Sequence, residues 1–438
     1  MSEVQRMPVA DVVFRDDLYP RIETHPVTVQ KYAEDLNVLP PIEVNQHKEL
    51  IDGWHRWTAH KKKEAETIPF IVTETKSDNH LLELAIERNA KHGLQLSQRD
   101  KEKMAGRLYL AFLAGKPSAN ECAEYKQRLA NILSVTIRSV RGWTSRGDKD
   151  AKEDRNRRIF ELWLAGWQNT EIASELGCAE ATVREVIAEM ATLPNLRLPD
   201  QSSATHATDF QPPIYNVWKQ QTKTNGSNHF GNSEVRWLDN LLYLYTQPFD
   251  MVVDPFAGGG STIDICKKRF RRYFVSDRKP IIEREKEIRN HDLVGEDGKV
   301  SLLKPPQWSD VKLVYLDPPY WKQAEGQYSN EPADLANMDL ETFTATLAAI
   351  IKAYASKVKD GYIALIMQPT QWNAPGREFT DHVGDMLRAV KLPVDMRYSV
   401  PYESQQCNAQ MVEWAKENKR CLVLTREIVV WKTNGGSK

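Results

Sequence analysis

Two stretches of this chain hold residue types whose order could support chemistry. The first is Met251–Pro280, MVVDPFAGGGSTIDICKKRFRRYFVSDRKP. An apolar run ends on Asp254, and a turn follows through Pro255, Phe256, Ala257, Gly258, Gly259 and Gly260. Ser261 then opens a helical segment, and a second apolar run, Tyr273-Phe274-Val275, ends on Asp277. Strand, glycine turn, helix, strand and acid make half of a doubly wound α/β unit. The glycines let backbone pass close under a ligand, and a carboxylate at the end of the second strand can hold two ribose hydroxyls. The turn is not GxGxxG, and Asp254 at its start repels phosphate and suits a cationic ligand. The second stretch is Lys312–Tyr320, KLVYLDPPY, an apolar strand running into Asp317-Pro318-Pro319-Tyr320. Prolines fix φ, so the Asp317 carboxylate and the Pro318 carbonyl become two rigid acceptors beside an aromatic ring. A generic glycine turn and a structural Pro-Pro turn are the plainer readings of each stretch taken alone.

Together and in this order, DPFAGGG, Asp277 and DPPY closely resemble the amino-group DNA methyltransferases. The resemblance implies a Rossmann-like methyltransferase sheet and S-adenosyl-L-methionine as cofactor, held by Asp254, Pro255, Phe256, Gly258, Gly260 and Asp277. It makes Asp317, Pro318, Pro319 and Tyr320 catalytic. An exocyclic amine is a poor nucleophile because its lone pair is delocalised into the ring. Two acceptors on its N–H bonds pull the nitrogen towards tetrahedral geometry, and Tyr320 offers a face for a flipped base. The loosely matching segment Asn228–Ser233 is where such enzymes touch the methionine end of the cofactor, and Asp292 is placed to approach its adenine ring or to be a plain loop acid.

Composition bounds the rest. With 438 residues, 41% hydrophobic and 27% charged, the chain is ordinary globular protein of two or three domains. A formal net charge of −1 rules out a global polycation, so any nucleic-acid contact must be local. No run approaches a membrane span, and the N-terminus lacks an apolar signal core, which reads as cytoplasmic. The five cysteines are dispersed without CxxC spacing, which argues against disulfides and zinc; no metal site is expected.

Residues 1–95 alternate short strands and helices. LIDGWHRWTAHKKKEAETIPFIV, with Arg21 after Tyr19-Pro20, resembles the ParB/sulfiredoxin-like superfamily. A glycine and a basic residue at a helix N-terminus form a natural phosphate cradle, so Gly53, His55 and Arg56 are a candidate phosphate or nucleotide site. Two departures weaken the carry-over. Trp54 stands where sulfiredoxin chemistry needs cysteine, and Glu87-Arg88-Asn89-Ala90-Lys91 only approximates the nucleotide box. The alternative is a module that binds DNA or packs against its neighbours.

Residues 96–150 read as helical, with Lys126–Leu133, a turn at Ser134 and Thr136–Trp143 laid out as a helix-turn-helix carrying Arg138 and Arg141. Residues 151–192 form a second such unit: a helix over Arg158–Gly166, another ending at Gly177, and a third from Ala181. This unit resembles the resolvase and sigma-factor type, in which Thr182, Arg184 and Glu185 face the major groove. Between the two units, residues 138–158 hold eight Lys/Arg against four acids, read as phosphate contacts or as a solvated linker. Residues 193–213 form a Pro/Ser/Thr-rich linker.

Residues 214–438 complete the methyltransferase. Helices are expected at Met338–Val358 and Glu378–Val390, and strands at Gly361–Met367, Val394–Val400 and Cys421–Trp431. The sheet should be parallel with one antiparallel strand near its edge. The basic run Lys267–Arg272 lies at the sheet end opposite the strand C-termini and reads as solvated surface. The polar loop Trp321–Pro332 and the excursion Tyr402–Lys419 read the neighbourhood of the base.

The expectation is a methyltransferase acting on double-stranded DNA at an exocyclic amine, adenine N6 first because Asp-Pro-Pro-Tyr goes mainly with adenine in the families it resembles. Cytosine N4, an RNA methyltransferase and a non-enzymatic ParB-like regulator are the alternatives. Without a nuclease motif, a solitary enzyme of phage or plasmid type is the fitting setting. Oligomeric state stays open, a dimer included.

Overall fold

Short apolar runs separated by polar turns build the first sheet from β1 (Gln5–Pro8), β2 (Ile42–Val44), β3 (Leu50–Asp52) and β4 (Thr67–Val72). Their order is β1-β4-β2-β3, with β2 and β4 parallel and the other pairs antiparallel. The computed structural model describes residues 4–91, 96–195, 198–219, 234–295, 297–322, 334–371, 379–401 and 409–433. The chain divides into two units, Met1–Arg155 and Asn156–Lys438.

In the first unit, α1 (Pro26–Glu34), α2 (Trp54–Lys62) and α3 (Asp78–Lys91) accompany the sheet. Capping boxes at Ser97/Asp100 and Ser118/Glu121 start α4 (Gln98–Leu113) and α5 (Ala119–Ile132). Ser134 turns the chain at φ 49° into α6 (Ile137–Leu164). Gly147 of α6 lies so near α4 that a Cβ there would sit 3.3 Å from Leu110. Asp148 beside it accepts from the Tyr109 hydroxyl at 2.5 Å and from the Lys126 ammonium at 2.6 Å. The sequence reading broke this stretch into two helices with a charged linker. It is one helix because its Lys, Arg and Glu are strong helix formers, no proline interrupts it, and pairs such as Lys149–Glu153 support it at i,i+4.

The second unit continues with α7 (Asn169–Leu176), which Gly177 ends at φ 61°, then α8 (Glu180–Met190) and α9 (Leu198–Ala204). Ile159, Leu162, Ile172, Val183 and Val186 form the core of this small bundle. The main sheet follows α10 (Val235–Tyr245). It is built from β5 (Met251–Asp254), β6 (Arg272–Asp277) after α11 (Ser261–Lys268), β7 (Arg289–Asn290), β8 (Val311–Leu316), and β9 (Tyr362–Met367) after α12 (Leu340–Lys357). A two-stranded pair, β10 (Thr370–Gln371) and β11 (Phe379–Thr380), precedes α13 (His382–Val390). Then come β12 (Val394–Pro401), α14 (Ala409–Glu417) and β13 (Thr425–Lys432).

The seven strands lie in the order β12-β13-β9-β8-β5-β6-β7. β5 to β9 are parallel, and β13 is antiparallel to both its neighbours. One face packs on α12 and α13, the other on α10 and α11, so the fold is a three-layer α/β sandwich. Strand order reverses between β5 and β8, and the crevice outside the C-terminal ends of those strands is where open α/β sheets bind ligands. Among the described residues, no helix is long and apolar enough to cross a membrane.

The basic run departs from expectation. Arg269, Arg271 and Arg272 are 0%, 2% and 6% exposed. Arg269 forks onto Asp239 at 2.7 and 2.6 Å and donates to the Ser203 carbonyl and to Asp209. Arg271 donates to the Ala204 carbonyl and to Thr246. His206 joins Asp239 at 2.9 Å. Burial works against ionised Asp239, but the bonds from His206 and Arg269 outweigh it and hold the acid at about 2. The stretch expected as a linker is therefore pinned to the main sheet unit by bonds from Arg269 and Arg271 and by the His206–Asp239 contact. A sequence window shows the charges of such a run but not their distant partners.

A second clamp holds the small bundle. Arg272 donates to the Trp163 carbonyl at 3.3 Å and stacks on its ring at 4.5 Å. Arg289 donates to the Ala165 and Gly166 carbonyls. These carbonyls lie at and just beyond the C-terminus of α6, where the Trp163 oxygen also accepts from the Gly166 N–H, so the two guanidinium groups brace that helix end from outside it. Gly166, at φ 70°, admits no side chain, since a Cβ would lie 2.7 Å from the Tyr273 carbonyl. Arg272 begins β6 and Arg289 pairs with Ser276 near its end, so the chain after α6 lies along β6.

Candidate active site

Asp254 ends β5 and is 2% exposed. Its Oδ1 accepts from the Phe256 backbone N–H at 2.9 Å, and its Oδ2 from the Thr262 hydroxyl at 2.6 Å. Burial pushes its carboxyl up to about 7; those two bonds oppose the shift, and the charges of Asp317 and Asp277 add to it. The sequence reading gave Asp254 the task of facing a cationic ligand. Both its oxygens accept bonds from the turn and the side chain is buried, so it shapes the cradle from beneath. Pro255 is buried and Phe256 half-buried above it. Gly258 at φ 48° and Gly260 at φ 83° take the left-handed conformation that the tight turn needs.

Asp277 ends β6 and is half-exposed. Its Oδ2 accepts from the Gly258 N–H at 2.9 Å and its Oδ1 from the Lys279 N–H at 2.9 Å. Each oxygen keeps a second lone pair for a hydroxyl donor, so the carboxylate is fixed in place with capacity left for a vicinal diol. Asp292, a candidate for the adenine ring, is drawn to Arg278 at 2.9 Å.

Asp317 follows the last residue of β8, the strand that lies beside β5. The Tyr320 hydroxyl donates to Asp317 Oδ1 at 3.3 Å. Pro318 is buried, whereas Asp317, Pro319 and Tyr320 stay partly open. The next residue anchors the loop. Trp321 is 3% exposed and donates from Nε1 to the Met338 carbonyl at 2.8 Å. Its own carbonyl accepts from the Thr370 hydroxyl at 3.1 Å, and Thr370 meets His382 Nε2 at 2.8 Å. Burial pushes His382 down to about 4, so this relay is neutral near pH 7. Three acids thus converge from the ends of adjacent strands: Asp277 and Asp254 on the cofactor-type turn, and Asp317 beside a proline carbonyl and an aromatic ring.

Sequence reading missed Thr262, Thr370, His382 and Arg426 at this edge. Thr262 had a signal, since a hydroxyl eight residues after Asp254 falls on the first turn of α11. The others come from elements distant in sequence and had none. Segment Asn228–Ser233, most of the loop after Tyr320, and residues 402–408 of the later excursion lie outside the described residues.

The other candidates lie apart from these acids in the chain. Arg138 and Arg141 are exposed on α6, as are Arg146, Lys149, Lys152, Arg157 and Arg158. On α8, Thr182 is half-buried, Glu185 is exposed, and Arg184 is exposed within 3.9 Å of Glu180. Residues 159–195 carry six glutamates and one arginine, a balance that repels phosphate. In the first unit, Gly53 sits at φ 108°, pressed against Ile42. Arg56 donates to the Pro40 and Pro41 carbonyls at 3.1 and 2.6 Å and to Asp52 at 2.6 Å. His55 Nε2 accepts from the His25 N–H at 2.9 Å, and burial, with Arg21 and His25 nearby, pushes the ring down to about 4. These groups serve the local fold, and the guanidinium expected to cradle phosphate is already held by carbonyls and a carboxylate.

Comparison with known proteins places these features. Residues 138–285 match the family model described as "DNA methylase" (N6_N4_Mtase). The matched segment holds α6, the small bundle and the glycine turn through Asp277, and stops before DPPY. Solved structures give distant likenesses. A pNOB8-like ParB N-domain shares 13% identity, covering 33% of this chain and 64% of that one, at a TM-score of 0.27. A C-terminally truncated ParB from Caulobacter crescentus bound to its centromeric parS site shares 16%, covering 42% and 84%, at 0.23. A SAM dependent methyltransferase from Archaeoglobus fulgidus shares 14%, covering 46% and 95%, at 0.25. No curated protein matches the chain. The matched family implies S-adenosyl-L-methionine as cofactor, and the glycine turn with its pre-set Asp277 fits a ligand bearing a ribose. By this match, residues 138–285, about a third of the chain, are similar to the DNA methylase family.

Proposed function

We propose that the chain transfers a methyl group from S-adenosyl-L-methionine to the exocyclic amine of a base in double-stranded DNA, adenine N6 being the target. The observation that carries this reading is the meeting of Asp254, Asp277 and Asp317-Pro318-Pro319-Tyr320 at the C-terminal edge of neighbouring parallel strands, in a chain whose residues 138–285 match a DNA methylase. Asp277 takes the ribose hydroxyls, and Phe256, Gly258 and Gly260 line the cradle that Asp254 shapes. When bound, the cofactor supplies an electrophilic methyl group on a sulfonium.

Asp317 and the Pro318 carbonyl each accept one N–H of the target amine, and Pro319 keeps that carbonyl fixed. With both N–H bonds engaged, the nitrogen lone pair is released from the ring and turned towards the cradle. Tyr320 stacks the extruded base, which offsets part of an unstacking cost of a few kcal/mol. The reaction needs no cysteine nucleophile, since the amine itself attacks.

DNA is gripped by Arg138, Arg141 and the other exposed cations of α6. We place phosphate contacts there rather than on α8, because the bundle of α7 and α8 is acidic. Thr182, Arg184 and Glu185 are left as candidates for base-edge contact only. Sequencing DNA from cells that express the chain, with a method that reports modified bases, tests the proposal. N6-methyladenine in one recurrent context supports it. N4-methylcytosine would move the target to the other amine, and an unmodified genome would contradict the reading.

A further inference from the structure

Arg426 is the second residue of β13, one residue before the Glu427–Met367 pairing that marks the C-terminal end of β9. Because β13 runs antiparallel, its first residues lie at the same sheet edge as the ends of β8 and β9. From there the Arg426 guanidinium reaches across to the Tyr320 ring, 5.1 Å from its centroid, and lies 5.8 Å from the ring of buried Trp237 on α10. A flat, permanently charged group between two rings is held by both cation–π attraction and stacking. The same cation acts on buried Tyr315, against the charges of Asp317 and Asp254. Tyr320 is therefore fixed at its hydroxyl by Asp317 and on its ring by Arg426.

Resting on the function proposed above, we infer that Arg426 is a positioning residue for the target base. It covers one face of Tyr320, so the extruded base stacks on the opposite face. It also keeps a positive charge beside the acid cluster whose member Asp317 must accept a hydrogen bond from the amine. Lysine at this position keeps the charge but loses the plane that stacks, so the two contributions separate by substitution.

The test uses the full chain, with a duplex carrying the sequence that the wild type methylates to read turnover, and the same duplex with 2-aminopurine in place of the target adenine to read base extrusion. Arg426→Ala should bind S-adenosyl-L-methionine with wild-type affinity and remain folded, with a melting temperature lowered by no more than a few degrees. Its kcat should fall about tenfold, the scale of one desolvated cation–π contact at roughly 1.4 kcal/mol per decade. The 2-aminopurine fluorescence rise on binding should shrink, and Arg426→Lys should recover part of kcat but little of the fluorescence. A purely structural role would lower cofactor affinity, melting temperature and kcat together, and would overturn the inference. So would an Arg426→Ala enzyme with wild-type kcat and fluorescence. A wild type that methylates no duplex overturns the function proposal itself, so the two failures are distinguishable.

Discussion

Asp254 shows how burial assigns work to a carboxyl. Both its oxygens hold the turn, and its folded pKa of about 7 lies above the ordinary 3.8. An acid of this kind binds more protons folded than unfolded between those values, so stability should fall as pH rises from about 4 to about 7. Asp254→Asn keeps the acceptor for Phe256 and can donate to the Thr262 hydroxyl. Thermal melts across that window should show a flatter pH dependence for Asp254→Asn than for the wild type, and equal slopes would refute the assignment. Asp277→Ala should weaken S-adenosyl-L-methionine by about 1.5–3 kcal/mol, the range for hydrogen bonds to a charged group, as read by calorimetry. At this scale the sequence was informative: DPFAGGGST, Asp277 and DPPY were legible because each motif is contiguous. What Asp254 bonds to was not, because its environment is set by burial rather than by neighbours in sequence.

At the scale of elements, the clearest finding is that arginines of the run expected in solvent, together with Arg289, are the bolts of the second unit. Arg272 and Arg289 brace the C-terminal end of α6, and Arg269 ties residues 203–209 to Asp239. Replacing Arg289 by Ala leaves helix-end carbonyls buried without that donor, a loss of about 1–3 kcal/mol. The expected result is a lower melting temperature and faster proteolysis after Gly166, while S-adenosyl-L-methionine still binds; unchanged proteolysis would show that the brace does not hold the bundle. The sequence showed strand, turn and helix here from apolar periodicity. It could not show that α6 runs unbroken from Ile137 to Leu164, because a helix whose exposed face is charged looks like a linker until its packing is known. The exposed cations of α6 make a further prediction. Changing Arg138 and Arg141 to Glu should weaken duplex binding and make its salt dependence shallower, whereas Arg184→Ala should change it little. Titrations at several salt concentrations decide between them.

For the whole molecule, strand order β7-β6-β5-β8-β9-β13-β12 explains why motifs far apart in sequence share one edge. Parallel strands connected through helices bring their C-terminal ends together, and the reversal between β5 and β8 leaves a crevice there. The order of motifs in the chain suggests this sheet, whereas Arg426, Thr370 and His382 reach it only through β13, β10 and α13, which are distant in sequence. The central claim is that this edge methylates an amine directly, with Asp317 as acceptor. The most direct measurement is mass spectrometry of nucleosides from duplex DNA incubated with purified chain and S-adenosyl-L-methionine carrying a labelled methyl group. The account predicts labelled N6-methyladenine from the wild type, and none from Asp317→Ala although that variant still binds the cofactor. Labelled 5-methylcytosine, or an Asp317→Ala enzyme with near-wild-type transfer, would contradict it.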